Sequence, residues 1–172
     1  LLPSAIYHVD TAPFEQMLGM EGGSFVRRLY RESICSGIRL SDEYYLRRMP
    51  VSSSLLRGFF APVFAKAAAC AELGRLFKDM ELRNIALDQV AWMLGKNPFT
   101  RSDMYGEGYG FQPLYTPYSP DMVGAIPVGI QSKGTKDMPF LPSDNRPTFN
   151  EVWIHSSARF LATAASLVDW IE

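Results

Sequence analysis

The sequence predicts a mainly α fold. Three segments carry apolar residues at helical spacing, over residues 53–73, 80–94 and 150–171. Only a short connection separates the first two, whereas residues 96–149 lack sustained periodicity of either kind. Long antiparallel helices with little sheet, and one extended connection between the second and third, are therefore expected.

The start of the chain is the least patterned part. It opens Leu1-Leu2-Pro3, with no basic, apolar and small-residue succession of the kind a signal peptide shows, and reads as a cut through a longer protein. Residues 13–20 and 24–35 are helix candidates, separated by Gly19, Gly22 and Gly23. Ile38-Arg39-Leu40 and Tyr44-Tyr45-Leu46 read as short extended pieces on either side of the turn-forming cluster Ser41-Asp42-Glu43.

From residue 53 the pattern sharpens. Leu56, Phe59, Phe60, Val63, Phe64, Ala67 and Ala71 recur at intervals of three and four, so a helix is expected to run to about Leu73 and stop at Gly74, with Pro62 as a source of a kink. Leu82, Ile85, Ala86, Val90, Met93 and Leu94 define the next helix, with Gly95 as its stop. A short link between two long helices makes an αα-hairpin, beside which the last helix would pack. In that last helix Asn150 is the expected N-cap, Pro147 closes the loop before it, and Glu151 falls in the first turn. A carboxylate there complements the helix dipole, which is the simplest structural reason for its presence.

Residues 96–149 hold too many aromatics for a solvated linker, among them Tyr105, Tyr109, Phe111, Tyr115, Tyr118 and Phe140. A folded rim across one end of a helical scaffold is expected, with room for a short strand at 125–130. Rings of this kind either pack the loop itself or stack on apolar sugar faces while their polar tips bond hydroxyls.

Composition excludes several functions. With 172 residues, 47% hydrophobic, 13% aromatic and a formal charge of −1, the chain suits one globular domain and shows no basic block for nucleic acid. Lys66 and Glu72 interrupt the most Ala-rich segment, so no stretch is long and apolar enough to span a membrane. Cys35 and Cys70 lack zinc-site spacing and neither require nor rule out a disulfide; His8 and His155 are too few for a His-rich metal cluster. Gly95-Lys96 lacks the rest of a phosphate loop, Gly106-Glu107-Gly108-Tyr109-Gly110 has the wrong spacing for a dinucleotide site, and Ser24 lacks the second glycine of a nucleophile elbow.

Three motifs together carry a resemblance. Leu87-Asp88-Gln89-Val90-Ala91-Trp92-Met93-Leu94-Gly95-Lys96-Asn97-Pro98-Phe99 resembles the helix end and "LG-x-NP" turn of family 9 glycoside hydrolases, the six-hairpin, endoglucanase-type glycosidases. Met122-Val123-Gly124-Ala125 resembles that family's Val-Gly-Ala segment, and Asn150-Glu151-Val152 its "NE-V" start of the last helix. The order of these features over residues 53–172 is also the family's; residues 1–52 match poorly.

The resemblance implies the C-terminal portion of a single (α/α)6 toroidal catalytic domain, the rest lying upstream. It implies a secreted, periplasmic or cell-envelope glycosidase acting on a polysaccharide or oligosaccharide by an inverting mechanism, with Glu151 as general acid. The base, an Asp in an upstream motif, is outside these residues, so this portion alone is expected to be inactive. Tyr105, Tyr109, Tyr115, Tyr118, Arg146 and His155 are the substrate-binding candidates. No cofactor is expected; the resemblance admits calcium without identifying ligands.

The sequence departs from the family at Gln112-Pro113-Leu114-Tyr115-Thr116-Pro117, where a His-His-Arg run is usual. It departs again in the spacing of Asp144 from Glu151, and at His155 and Ser156. These differences imply a divergent relative whose substrate need not be cellulose. Two alternatives are a polysaccharide lyase on a related toroid, using Tyr115, Tyr118 and His155, and a silent carbohydrate-binding or structural module.

Overall fold

A computed structural model describes residues 3–10, 24–51, 58–115 and 121–168. Among the described residues it is a mixed structure of five helices with two small antiparallel sheets. The expectation of a mainly α chain with little sheet holds in part: the long helices are present and the sheets are small, but strands near the N-terminus and at residues 131–140 make the structure mixed, and the described residues do not show a toroid. The expected helix at residues 13–20 lies outside the described residues, as do Tyr118 and the ends of two other expected helices.

The chain divides into two compact units. Among the described residues, the first unit comprises 3–51 together with 131–140, and the second 58–130 together with 141–168.

In the first unit, α1 (Ser24–Cys35) is followed by β2 (Ile38–Arg39) and β3 (Tyr44–Arg47), the two expected extended pieces, which pair antiparallel. Ser41 Oγ accepts the backbone N–H groups of Glu43 and Tyr44, which is how this cluster turns the chain. A strand the sequence did not reveal, β1 (Ala5–His8), adds on the far side of β3, giving the order β1-β3-β2. Four residues with only one turn of alternation leave too little pattern to read as a strand. A second small sheet pairs β4 (Gln131–Ser132) with β5 (Pro139–Phe140).

Arg47 ties this unit together. Its guanidinium is fully buried and donates to the carbonyls of Ser33, Met49, Thr135 and Lys136 and to Ser36 Oγ. Asp137 stands 4.0 Å away and accepts the backbone N–H groups of Arg48 and Met49 at 3.0 and 2.7 Å. Burial pulls the Arg47 pKa down, and the carboxylate of Asp137 opposes that shift. The planar fork of arginine is what permits so many acceptors to converge on one buried side chain.

The second unit is built on three helices: α2 (Phe60–Phe77), α3 (Met80–Met93) and α5 (Ile154–Val168). The hairpin of α2 and α3 is as expected, and both pack against α5. Phe60, Val63, Phe64, Ala67 and Ala71 form the buried stripe of α2, facing Ala86 and Met93 of α3 and Thr163 and Leu167 of α5. The Phe64 ring meets that of Phe160 edge-on with centroids 5.4 Å apart, and Thr163 Oγ1 donates to the Phe64 carbonyl at 2.9 Å.

Two details of α2 correct the sequence reading. The helix does not stop at Gly74 but carries it on its buried face to Phe77, ending where Lys78 turns left-handed and Asp79 N–H bonds the Gly74 carbonyl at 2.8 Å. Pro62 sits in the first turn, where a missing N–H removes no intrahelical bond. Asp79 then caps α3 by accepting from Glu81 and Leu82, so the two helices share one tight connection.

The largest correction concerns the last helix. Residues Pro147–Asn150 form a separate short helix, α4, and the chain runs extended through Glu151 before α5 begins at Ile154. Asn150 is therefore not an N-cap, and Glu151 is not in a first helical turn. Residues 125–130 also form no strand; they make one isolated bridge, Pro127 to Val152, and β4 starts just after.

Candidate functional site

The geometry around Glu151 begins with the Asn97-Pro98 turn. The Asn97 side chain donates to the carbonyls of Trp92 and Arg101, both at 2.8 Å, and accepts the N–H groups of Phe99 and Arg101. Gly95, with φ of 118°, lets the chain leave α3 at that point. Asparagine is needed here because its amide both donates and accepts.

Beyond the turn the chain doubles on itself. Ser102 N–H bonds the Gly110 carbonyl and Gln112 N–H bonds the Ser102 carbonyl, a parallel bridge between Ser102 and Phe111. Tyr105 exchanges backbone bonds with Gly124 and Ala125, which draws the segment 121–130 alongside. Gly129 (φ of 99°) then lies flat on Phe60, where an added Cβ would come within 2.3 Å of the ring. That close approach allows the Val128 carbonyl to accept Phe60 N–H at 3.0 Å at the start of α2.

Residues 150–152, where α4 gives way to extended chain, are held from two sides. Tyr115 N–H bonds the Asn150 carbonyl at 2.9 Å and Asn150 Nδ2 bonds the Pro113 carbonyl at 2.5 Å. On the other side, Val128 N–H bonds the Glu151 carbonyl at 2.8 Å, and Gly129 N–H bonds that of Phe149. Both halves of the long connection thus converge on the residue that the sequence singled out.

The Glu151 carboxylate is half-buried, and its Oε2 accepts the Trp153 indole N–H at 2.8 Å. In extended backbone, residues two apart point to the same side, which brings these two side chains together. The Trp153 ring stands 6.0 Å from that of His155, and both residues are exposed. His155 belongs to the first turn of α5, so the helical i to i+4 relation to Glu151 expected from the sequence does not exist.

The remaining candidates separate. Tyr115 is partly exposed on the segment bonded to Asn150. Tyr105 is half-buried, packs edge-on against Phe111 and donates its hydroxyl to Asp121 at 2.5 Å, a bond to the protonated phenol that raises its pKa. Tyr109 is 97% exposed at the tip of the glycine-rich turn. Arg146 is exposed and pairs with Asp144.

Three contributors escaped sequence reading. Trp153 looked like one more residue of a helix, and Asn150 like a helix cap. Asp103 gave no signal at all: it is 3% exposed, and burial alone pushes its carboxyl up to about 8.

Cys35 and Cys70 are free thiols. Among the described residues there is no group of three or more His, Cys, Asp or Glu side chains that could hold a metal ion, and no helix is long and apolar enough to cross a membrane. No protein-family model, curated protein or solved structure matches the chain.

Proposed function

We propose that this chain is part of a glycoside hydrolase acting on a polysaccharide or oligosaccharide, with Glu151 as general acid. The observation that carries the proposal is the placement of Glu151 on an extended segment clamped between the two halves of the aromatic loop, with its carboxyl oriented by Trp153. A structural role as a helix-dipole partner no longer accounts for this residue, because it follows α4 and precedes α5 by three positions. An indole N–H only donates, so it fixes the carboxyl group while leaving the carboxyl its own proton to transfer. The exposed rings of Trp153, Tyr109 and Tyr115 are the surfaces on which sugar would stack.

In this reading the helical hairpin and α5 belong to an (α/α)6 toroid completed by upstream sequence, and the mechanism is inverting. Glu151 protonates the glycosidic oxygen while an upstream Asp activates water, the two carboxyls standing roughly 6.5–9.5 Å apart. The 172 residues alone are then expected to be inactive, since acid and base must flank the same bond.

The test is Glu151→Gln in the full-length protein. Turnover of a natural glycan should fall roughly 10²–10⁴-fold with binding largely kept, while an activated aryl glycoside, whose leaving oxygen needs less protonation, should lose less. Equal rates for variant and wild type on the natural glycan would remove Glu151 from the chemistry. An unsaturated sugar product would assign a lyase instead, and binding without turnover a silent carbohydrate-binding module.

A further inference from the structure

We propose that Asp103 and Gln112 hold a single hydroxyl oxygen between them, supplied by water or by a sugar hydroxyl. The two residues are neighbours on bonded backbone segments. Gln112 N–H bonds the carbonyl of Ser102, whose peptide leads directly into Asp103, so the two residues adjoin through one backbone bond next to the Ser102 to Phe111 bridge. Both side chains are buried, at 3% and 5% exposure, and Asp103 Oδ2 and Gln112 Nε2 each have no hydrogen-bond partner.

An acceptor and a donor, both buried and both unpartnered on adjoining backbone, select the chemistry of what could join them. A cation would suit the carboxylate and be repelled by the amide N–H, and an anion the reverse. A carbonyl oxygen satisfies the amide but gives nothing to an ionised carboxylate. A hydroxyl oxygen meets both, accepting from Nε2 while donating to Oδ2. It also accepts from both atoms if the carboxyl proton sits on Oδ2, so the same occupant serves either protonation state. Buried water fills this role in protein interiors where two or more polar groups surround it. At this depth water enters more readily than a hydroxyl carried on a sugar ring.

The position gives the site a purpose independent of what Glu151 does. Gln112 precedes Pro113, whose carbonyl accepts the Asn150 amide next to Glu151, so an oxygen bridging Asp103 and Gln112 braces the segment that clamps Asn150. Asp103 is fixed from the other direction by its N–H bond to the Met93 carbonyl at the end of α3.

Crystals of the full-length protein, sugar-free and soaked in D-glucose, test the proposal. An ordered oxygen is expected in the sugar-free crystal within about 2.7–3.2 Å of both Oδ2 and Nε2. If it stays unchanged with glucose, the source is water; if a ring hydroxyl replaces it, the source is sugar; both outcomes support the site. Asp103→Asn should retain the oxygen and Asp103→Leu should lose it. A direct bond between Oδ2 and Nε2, or an empty contact between them, in wild-type crystals overturns the proposal, and this readout needs no variant to fold. Failure here leaves the reading of Glu151 untouched, because neither crystal measures turnover.

Discussion

Replacing Asp103 by Asn should make the protein more stable, by an amount that grows with pH. Burial lifts this carboxyl from 3.8 to about 8, so the native state keeps a proton that the unfolded chain releases. For an acid raised on folding, stability is greatest below the unfolded pKa, declines as pH climbs toward the folded value, and levels off above it. The slope in that window is about 1.4 kcal/mol per pH unit, giving a ceiling of about 6 kcal/mol between roughly pH 4 and pH 8. Asparagine has nearly the same shape and no proton to lose. At about pH 7 the variant should therefore gain up to about 4 kcal/mol over wild type, and near pH 4 almost nothing. An oxygen donating to Oδ2 would shrink the gain without changing its sign. Urea unfolding of both full-length proteins at several pH values supplies the difference, in which unrelated titrating groups cancel. A gap that does not widen between about pH 5 and pH 8 would refute the reasoning.

Trp153→Phe keeps a ring on the surface but removes the N–H that orients Glu151, so kcat on a natural glycan should drop about tenfold while glycan binding holds; unchanged kcat would show the indole bond to be idle. Arg47→Met strands several buried carbonyls and Asp137, and should destabilise the protein by about 3–5 kcal/mol in chemical denaturation, with Arg47→Lys giving only partial recovery because an ammonium lacks the planar fork. Phe64→Ala empties a position of 0% exposure between Phe60 and Phe160, with an expected cost of about 3–5 kcal/mol by the same measurement.

The helical hairpin was legible because its signals are local. The α2 stripe from Phe60 to Ala71, the Gly95 stop and the short link between helices each act within a few residues. The boundaries failed where tertiary contacts override local preference. Gly74 reads as a stop, yet on a buried face a residue without a side chain allows close packing and the helix continues. The site was half legible. Glu151 stood out through its motif, but apolar periodicity across residues 152–171 concealed that the chain is extended at Glu151, held there by bonds to Val128 and Tyr115 that no periodicity encodes. Asp103 was invisible because its character comes wholly from burial, supplied by residues distant in sequence as well as by near ones.

The buried arginine of the first unit has a consequence for synthesis. The carbonyl of Thr135 that accepts from Arg47 lies 88 residues downstream of it. At roughly 5–20 residues per second, a ribosome needs about 4–18 s after adding Arg47 to reach that acceptor. Through that interval the nascent sheet lacks part of what neutralises and satisfies its central guanidinium, so the N-terminal segment waits, incomplete, while the sequence of the helical hairpin emerges ahead of its last strands.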